Sequence, residues 1–135
     1  FVDADIAVHP DAVERMEQGY LVGVFPEGTR SSGAEVRVFR PGFLAMVRRT
    51  NQPIYPVGMS GSDQAMPRGA WFIRPKRIHI VYGKAFTPDE LARLESGDDN
   101  GFCELAHQHV SACAAAARIV LSAGRDEIAI GERGT

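Results

Sequence analysis

Short apolar runs alternate with amphipathic stretches along this chain. Leu21-Val22-Gly23-Val24 is brief and rich in branched residues, and it ends at Phe25-Pro26. That pattern predicts a buried strand over Leu21 to Phe25. Ahead of it, Pro10 to Gln18 has the marks of a short helix. Pro10 suits the first helical position, Asp11 and Glu14 favour the N-terminal end, and Gly19 stops it. After the strand, residues 26–38 are expected to be loop with a short extended piece. Pro41 to Thr50 predicts a second helix, with Phe43, Leu44 and Val47 on one face and Arg48 and Arg49 near the C-terminal end, where cations suit the helix dipole.

Asn51-Gln52-Pro53 breaks that helix. Ile54 to Met59 and Lys76 to Tyr82 predict two further strands, separated by a loop over 60–75 rich in Gly, Pro and Arg. Thr87-Pro88-Asp89-Glu90 has the form of a capping box with Pro at the first helical position, so a helix starts there and runs to about Glu95. Phe102 to Ala123 predicts a long helix, with Phe102, Ala106, Val110, Cys113, Ala117 and Val120 at helical spacing. Strands alternating with helices indicate an α/β layered fold, a sheet flanked by helices. Residues 1–124 are expected to form one domain and residues 125–135 a mobile tail.

The chain has 135 residues, 44% of them hydrophobic, which suits one small packed domain and excludes a disordered chain. No run reaches the roughly 18 apolar residues of a membrane span. Cys103 and Cys113 lie on the same expected helix, about 80° apart in direction and about 15 Å apart along it, too far for a disulfide. The net charge is −2, unevenly spread. Residues 1–29 carry six acids and one base, residues 30–86 ten bases and two acids, and residues 87–135 nine acids and four bases. The middle third is therefore cationic. It fits anionic partners such as lipid phosphate, coenzyme A phosphates or an anionic membrane face, and equally a solvated basic surface.

That cationic third begins at Arg30, the last residue of Phe25-Pro26-Glu27-Gly28-Thr29-Arg30, where the first strand runs out into a loop. Ligands of open α/β sheets sit at the carboxyl ends of strands. Arg30 offers a planar fork of donors for phosphate oxygens. Gly28 allows a turn with positive φ that aims peptide N–H groups at the same anion. Glu27 is suited to holding Arg30 or to hydrogen-bonding a substrate hydroxyl. A surface turn with a solvated ion pair is the plain structural reading of the same residues.

Phe25-Pro26-Glu27-Gly28-Thr29-Arg30-Ser31 resembles the signature block of the glycerolipid acyltransferases, the 1-acylglycerol-3-phosphate and glycerol-3-phosphate O-acyltransferases. Ile54-Tyr55-Pro56-Val57-Gly58-Met59-Ser60-Gly61 is similar to that family's later Val-Pro-Val block. The context agrees at Phe39-Arg40-Pro41-Gly42 and at Gln64-Ala65-Met66-Pro67-Arg68-Gly69. The resemblance covers about Phe1 to Phe86. It implies acyl transfer from acyl-CoA or acyl carrier protein to a hydroxyl of lysophosphatidic acid or a related glycerol phosphate, with no cofactor, no metal and no covalent acyl-enzyme. It assigns substrate binding to Phe25, Pro26, Glu27, Gly28, Thr29, Arg30, Ser31 and Pro56. It further implies a membrane surface as partner, on the cytoplasmic side, and no nucleic acid.

The family's catalytic Asn-His-x-x-x-x-Asp block does not occur in these residues. His9 to Glu14 has a similar spacing, but with Glu for Asp, and Pro10 directly after His9 marks a helix start. The family's early Phe-Ile-x-Arg block corresponds to Phe1-Val2-Asp3-Ala4, with Ala4 in place of the Arg. A chain lacking its N-terminal half, and inactive by itself, is the expectation. A non-catalytic phospholipid- or phosphate-binding module stays open beside it.

Three other constellations compete. Gly58-Met59-Ser60-Gly61-Ser62 is one residue short of a nucleophile elbow. With Asp89 or Asp98 and His107 or His109 it gives a serine-hydrolase alternative using Ser60. Cys103 and His107 share a helix face at metal-ligand spacing, but no second ligand pair accompanies them, and a buried Cys with an ordinary His is the favoured reading. Trp71-Phe72-Ile73-Arg74-Pro75-Lys76-Arg77 mixes aromatic and basic residues. It suits a membrane interface or single-stranded nucleic acid, or a loop whose Trp71 packs on the core.

Overall fold

A computed structural model describes residues 2–3, 10–28, 35–65, 71–72 and 75–133, with side chains placed at 10–28, 35–65, 71–72 and 75–123. Strand β1 (Val2–Asp3) and strand β2 (Val24–Phe25) pair in parallel, Val2 opposite Val24 and Asp3 opposite Phe25. Helix α1 (Pro10–Glu17) lies between them in sequence, so the three form a β–α–β unit. A 3-10 turn (Pro41–Phe43) leads straight into helix α2 (Leu44–Thr50), which ends at Asn51 in the left-handed region with φ of 45°. Strands β3 (Val57–Ser60) and β4 (His79–Tyr82) pair antiparallel, Val57 opposite Tyr82 and Ser60 opposite His79. Between them comes the one-turn helix α3 (Ser62–Ala65). Helix α4 (Pro88–Glu95) and the long helix α5 (Asp99–Arg133) complete the order.

The expected α/β layering is present: α5 packs across both β3 and β4. Contact is close because Gly58 has no side chain. A β-carbon there would overlap the backbone of Cys113 and Ala114. The inward positions of the two strands face α5, and the outward ones, Val57 and Met59 with Ile80 and Tyr82, stand exposed. The main core lies beneath the motif side of the molecule. Phe39, Phe43, Leu44, Met46, Phe86, Leu94 and Phe102 are buried there, with Val22, Val24 and Val36 packed against them. Phe86 and Phe102 meet at 5.3 Å between ring centroids. Arg48 ties three elements together: its guanidinium pairs with the Asp99 carboxylate at the start of α5 and donates to the Leu94 carbonyl in α4 at 3.2 Å.

Several elements depart from their sequence-based bounds: β3 covers Val57–Ser60 where the sequence predicts Ile54 to Met59, and the one-turn α3 lies inside the expected 60–75 loop. The strand expected over Leu21 to Phe25 pairs only at Val24 and Phe25, and Leu21 is 86% exposed. The parallel register puts Val24 opposite Val2, so no described residue stands opposite Leu21 or Val22. Burial alternates along the run, with Val22 and Val24 turned inward, so the run is half-buried and not fully buried. The strand expected from Lys76 begins only at His79, because β3 extends no further than Ser60 opposite it. The first turn of the helix expected from Pro41 is 3-10, and α2 proper starts at Leu44. Finally, α5 continues to Arg133, through residues expected to be tail, since neither Pro nor a turn cluster interrupts it. Trp71 does not pack on the core: it is 93% exposed and meets Phe72 edge-on at 5.9 Å.

Candidate functional site

The motif sits where β2 ends. Phe25 is the last strand residue, and Pro26 and Glu27 turn away from it. Gly28 closes the turn, its N–H donating to the Phe25 carbonyl at 3.3 Å. Its φ of +74° is the left-handed region that favours glycine, as its place in the sequence predicts. Gly28 is buried, and a β-carbon there would lie 3.4 Å from Cδ, Nε and Cζ of Arg40. Thr29, Arg30 and Ser31, assigned to substrate binding by resemblance, lie outside the described residues, as does His9.

Beside this turn runs an extended strap, Val36 to Arg40. The Arg40 N–H donates to the Pro26 carbonyl at 2.8 Å. The Arg37 N–H donates to the Glu27 carboxylate, at Oε2, at 2.9 Å. Glu27 therefore has a backbone partner besides the two roles its sequence position suggests. The strap also brings the backbone of Arg37 and the side chain of Arg40 to the turn, a proximity that is not evident from sequence spacing. Their place comes from backbone N–H groups that donate to the Glu27 carboxylate and the Pro26 carbonyl, 10 and 14 residues earlier, which no local pattern announces. The only hint is the Phe39-Arg40-Pro41-Gly42 context.

On its other side the strap rests on α5. His107 holds the Val36 carbonyl at 2.9 Å through Nε2, and its ring meets Phe39 edge-on at 5.4 Å. Val38, Phe39, Asn100, Cys103, Glu104 and His107 line a cavity of about 310 Å³ along this contact. Burial pushes the Cys103 thiol up, and the nearby Asp99 charge adds to the effect. Cys103 and Cys113 are both free and buried, as the helix geometry predicts. Among the described residues no group of three or more His, Cys, Asp or Glu is placed to hold a metal ion.

Pro56 lies on the approach to β3. It is buried, and its carbonyl accepts from the Gly83 N–H at 2.8 Å and lies 3.9 Å from Sγ of Cys113. Its place is thus in the packing of the β3–β4 pair on α5. Ser60 ends β3 half-buried. The histidines of the hydrolase alternative are engaged elsewhere: His107 holds Val36, and His109 pairs with the Glu90 carboxylate at 2.8 Å. Neither serves Ser60 as a base in this arrangement.

A family model described as Acyltransferase matches residues 3–60, which include the β2 turn, the strap, Pro56 and all of β3. The chain is 30% identical over 104 residues to the 1-acyl-sn-glycerol-3-phosphate acyltransferase of Cocos nucifera, covering 76% of this chain and 33% of that protein. It is 41% identical over 74 residues to the enzyme of the same name from Borreliella burgdorferi, covering 55% of this chain and 30% of that protein. The chain thus spans about a third of the length of each of these two relatives. Among solved structures it is similar to the crystal structure of the 1-acyl-sn-glycerophosphate (LPA) acyltransferase PlsC from Thermotoga maritima, with a TM-score of 0.48 and 25% identity over 70% of this chain and 42% of that one. The matched residues carry the whole described turn at the end of β2, and on that ground the chain belongs to the glycerolipid acyltransferase family.

Proposed function

We propose that the whole protein transfers an acyl group from acyl-CoA or acyl carrier protein to a free hydroxyl of lysophosphatidic acid or a related glycerol phosphate, as a step of phospholipid synthesis. The observation that carries this reading is the left-handed turn at Gly28, closed at the end of β2 and bordered by the Arg40 side chain and the Arg37 backbone N–H. Arg30 follows two residues later in sequence. An anionic headgroup at a strand's carboxyl end, met by guanidinium groups and turn N–H groups, is a sound physical arrangement. Glu27, already bonded through one carboxylate oxygen, keeps its other oxygen for a glycerol hydroxyl or for Arg30. The acceptor hydroxyl attacks the thioester carbonyl, its proton passes to a base, and the thiol leaves. The family resemblance assigns that base to the His of an Asn-His-x-x-x-x-Asp block, which these 135 residues do not contain.

The site of action we propose is a membrane surface on its cytoplasmic side. Exposed Trp71 and Phe72, next to Lys76 and Arg77, support that placement. Among the described residues no helix is long and apolar enough to cross a membrane.

The test is steady-state kinetics of the full-length protein with lysophosphatidic acid and acyl-CoA, wild type against Arg30→Ala. Loss of a charge-assisted contact corresponds to about 1.5–3 kcal/mol, so the acceptor KM should rise roughly 10- to 150-fold. An unchanged acceptor KM removes Arg30 from the site. A full-length protein that binds anionic vesicles without turnover would be a binding module and not an enzyme.

A further inference from the structure

The peptide unit joining Val36 to Arg37 is held from both ends. Its carbonyl stands 2.9 Å from Nε2 of His107. A backbone carbonyl only accepts, so Nε2 carries the proton and donates it. Its N–H donates to Oε2 of Glu27 at 2.9 Å. One amide therefore lies between a histidine of α5 and the carboxylate of the motif. Hydrogen bonds in series through an amide polarise one another, so the His107 bond strengthens the donation to Glu27. It also fixes the plane of the peptide, and with it the direction of the Arg37 N–H.

The imidazole is itself fixed. Its edge contact with Phe39, a buried core residue, and its attachment to α5 leave it little freedom. The strap is thus anchored to α5 by His107 and Phe39, and to the motif turn by the N–H groups of Arg37 and Arg40. The sequence readings of His107, as a hydrolase histidine or as a metal ligand beside Cys103, miss this contact, because its partner is a backbone carbonyl in a distant loop.

We propose that His107 is a positioning residue for the site at the end of β2: by donating to Val36 it sets the position of the Glu27 carboxylate and so governs acceptor binding. This rests on the acyltransferase reading of that site. His107 touches neither acceptor nor donor, and it acts through the 36–37 amide.

The test compares His107→Leu, which keeps bulk and removes the donor, with His107→Gln, whose amide N–H replaces Nε2–H. Both are made in the full-length protein. Loss of one neutral hydrogen bond should raise the acceptor KM in His107→Leu roughly threefold to tenfold, with kcat changed less, and His107→Gln should restore most of it. Hydrogen exchange at the Arg37 amide should quicken in His107→Leu and recover in His107→Gln. Wild-type values in His107→Leu for both readouts overturn the proposal, and so do equal losses in both variants, which would mark packing alone. Ring ¹⁵N spectra of the wild type give a check that needs no variant: the proton must reside on Nε2, and a protonated Nδ1 beside a bare Nε2 overturns the bond. If the wild type transfers no acyl group, the functional reading fails, while amide exchange and the ring spectrum still decide whether His107 sets the Glu27 partner.

Discussion

Gly58 of β3 lies directly on the backbone of Ala114 in α5, so near that a β-carbon at position 58 would overlap the Ala114 nitrogen. The strand and the helix touch main chain to main chain here, and a backbone cannot rotate aside as a side chain can. Gly58→Ala must push α5 off the β3–β4 pair. Overpacking of a tight contact costs about 1–3 kcal/mol, and this site should reach the upper end of that range or exceed it. Urea unfolding monitored by far-UV circular dichroism should show a lower midpoint with little change in slope. An unchanged midpoint would mean that α5 sits further from β3 in solution.

Gly28 is constrained by conformation more than by space. At φ of +74° an L-residue is strained by about 1–2 kcal/mol, and its β-carbon would meet the Arg40 side chain. Gly28→Ala should therefore disturb the motif turn far more than the core. Gly28→Asn should be the milder change, because Asn tolerates the left-handed region. Under the proposed function, the acceptor KM should rise in the order wild type, Asn, Ala, with thermal stability falling in the same order. Equal KM values for all three would place the acceptor away from this turn.

The start of α4 carries a pH dependence whose sign is fixed by its geometry. The Glu90 carboxylate accepts from the Thr87 N–H at 2.8 Å, while the Thr87 hydroxyl accepts from the Glu90 N–H at 3.3 Å. The Thr87 backbone N–H, with lesser help from its hydroxyl and from His109, holds the Glu90 carboxyl below the usual carboxylate range. A depressed folded value means that the stabilisation is present above the unfolded pKa of about 4.3 and is lost as pH falls through the folded value. Thr87→Ala should cost about 0.5–2 kcal/mol at pH 7. It should flatten the acid side of the stability profile below about pH 5 only in part, because alanine keeps the backbone N–H that depresses Glu90 most. Denaturant unfolding at pH 7, 5 and 4 checks both effects.

The capping box was legible because every atom it uses lies within four residues of sequence. The same holds for Pro10 at the head of α1 and for the glycine turn after Phe25. What stayed hidden depends on contacts between distant segments. The length of β2 is set by its pairing with Val2, and the start of β4 by where β3 stops. Trp71 has an aromatic side chain that suits a core, yet the fold leaves it outside. Arg40 reaches Gly28 through a strap pairing, and His107 reaches the motif through one peptide group. Neither partner is marked in sequence, since each bond ends on a main-chain atom that every residue possesses. Pro56 belongs to the family's block, but its neighbours Gly83 and Cys113 give it a packing place that the block alone does not reveal.

Cys103 and Cys113 offer a probe of how firmly α5 is seated. Burial pushes both thiols up, with the Asp99 charge adding to this at Cys103, so little thiolate exists near neutral pH. Cys103 nonetheless borders the cavity beside Val38, and the strap that covers it hangs on the bonds to His107, Pro26 and Glu27. Native protein at pH 7.5 should react with a disulfide reagent slowly at both positions, at a rate limited by local opening, and both thiols should appear at once in denaturant. His107→Leu should release Cys103 first, because the strap loses its tie to α5, while Cys113, behind Pro56 and Gly83, should stay protected. Single-cysteine variants read by mass spectrometry assign each rate. Prompt labelling of Cys103 in the wild type would show that the strap already stands open, and equal acceleration at both thiols in the variant would show that α5 moves as a whole.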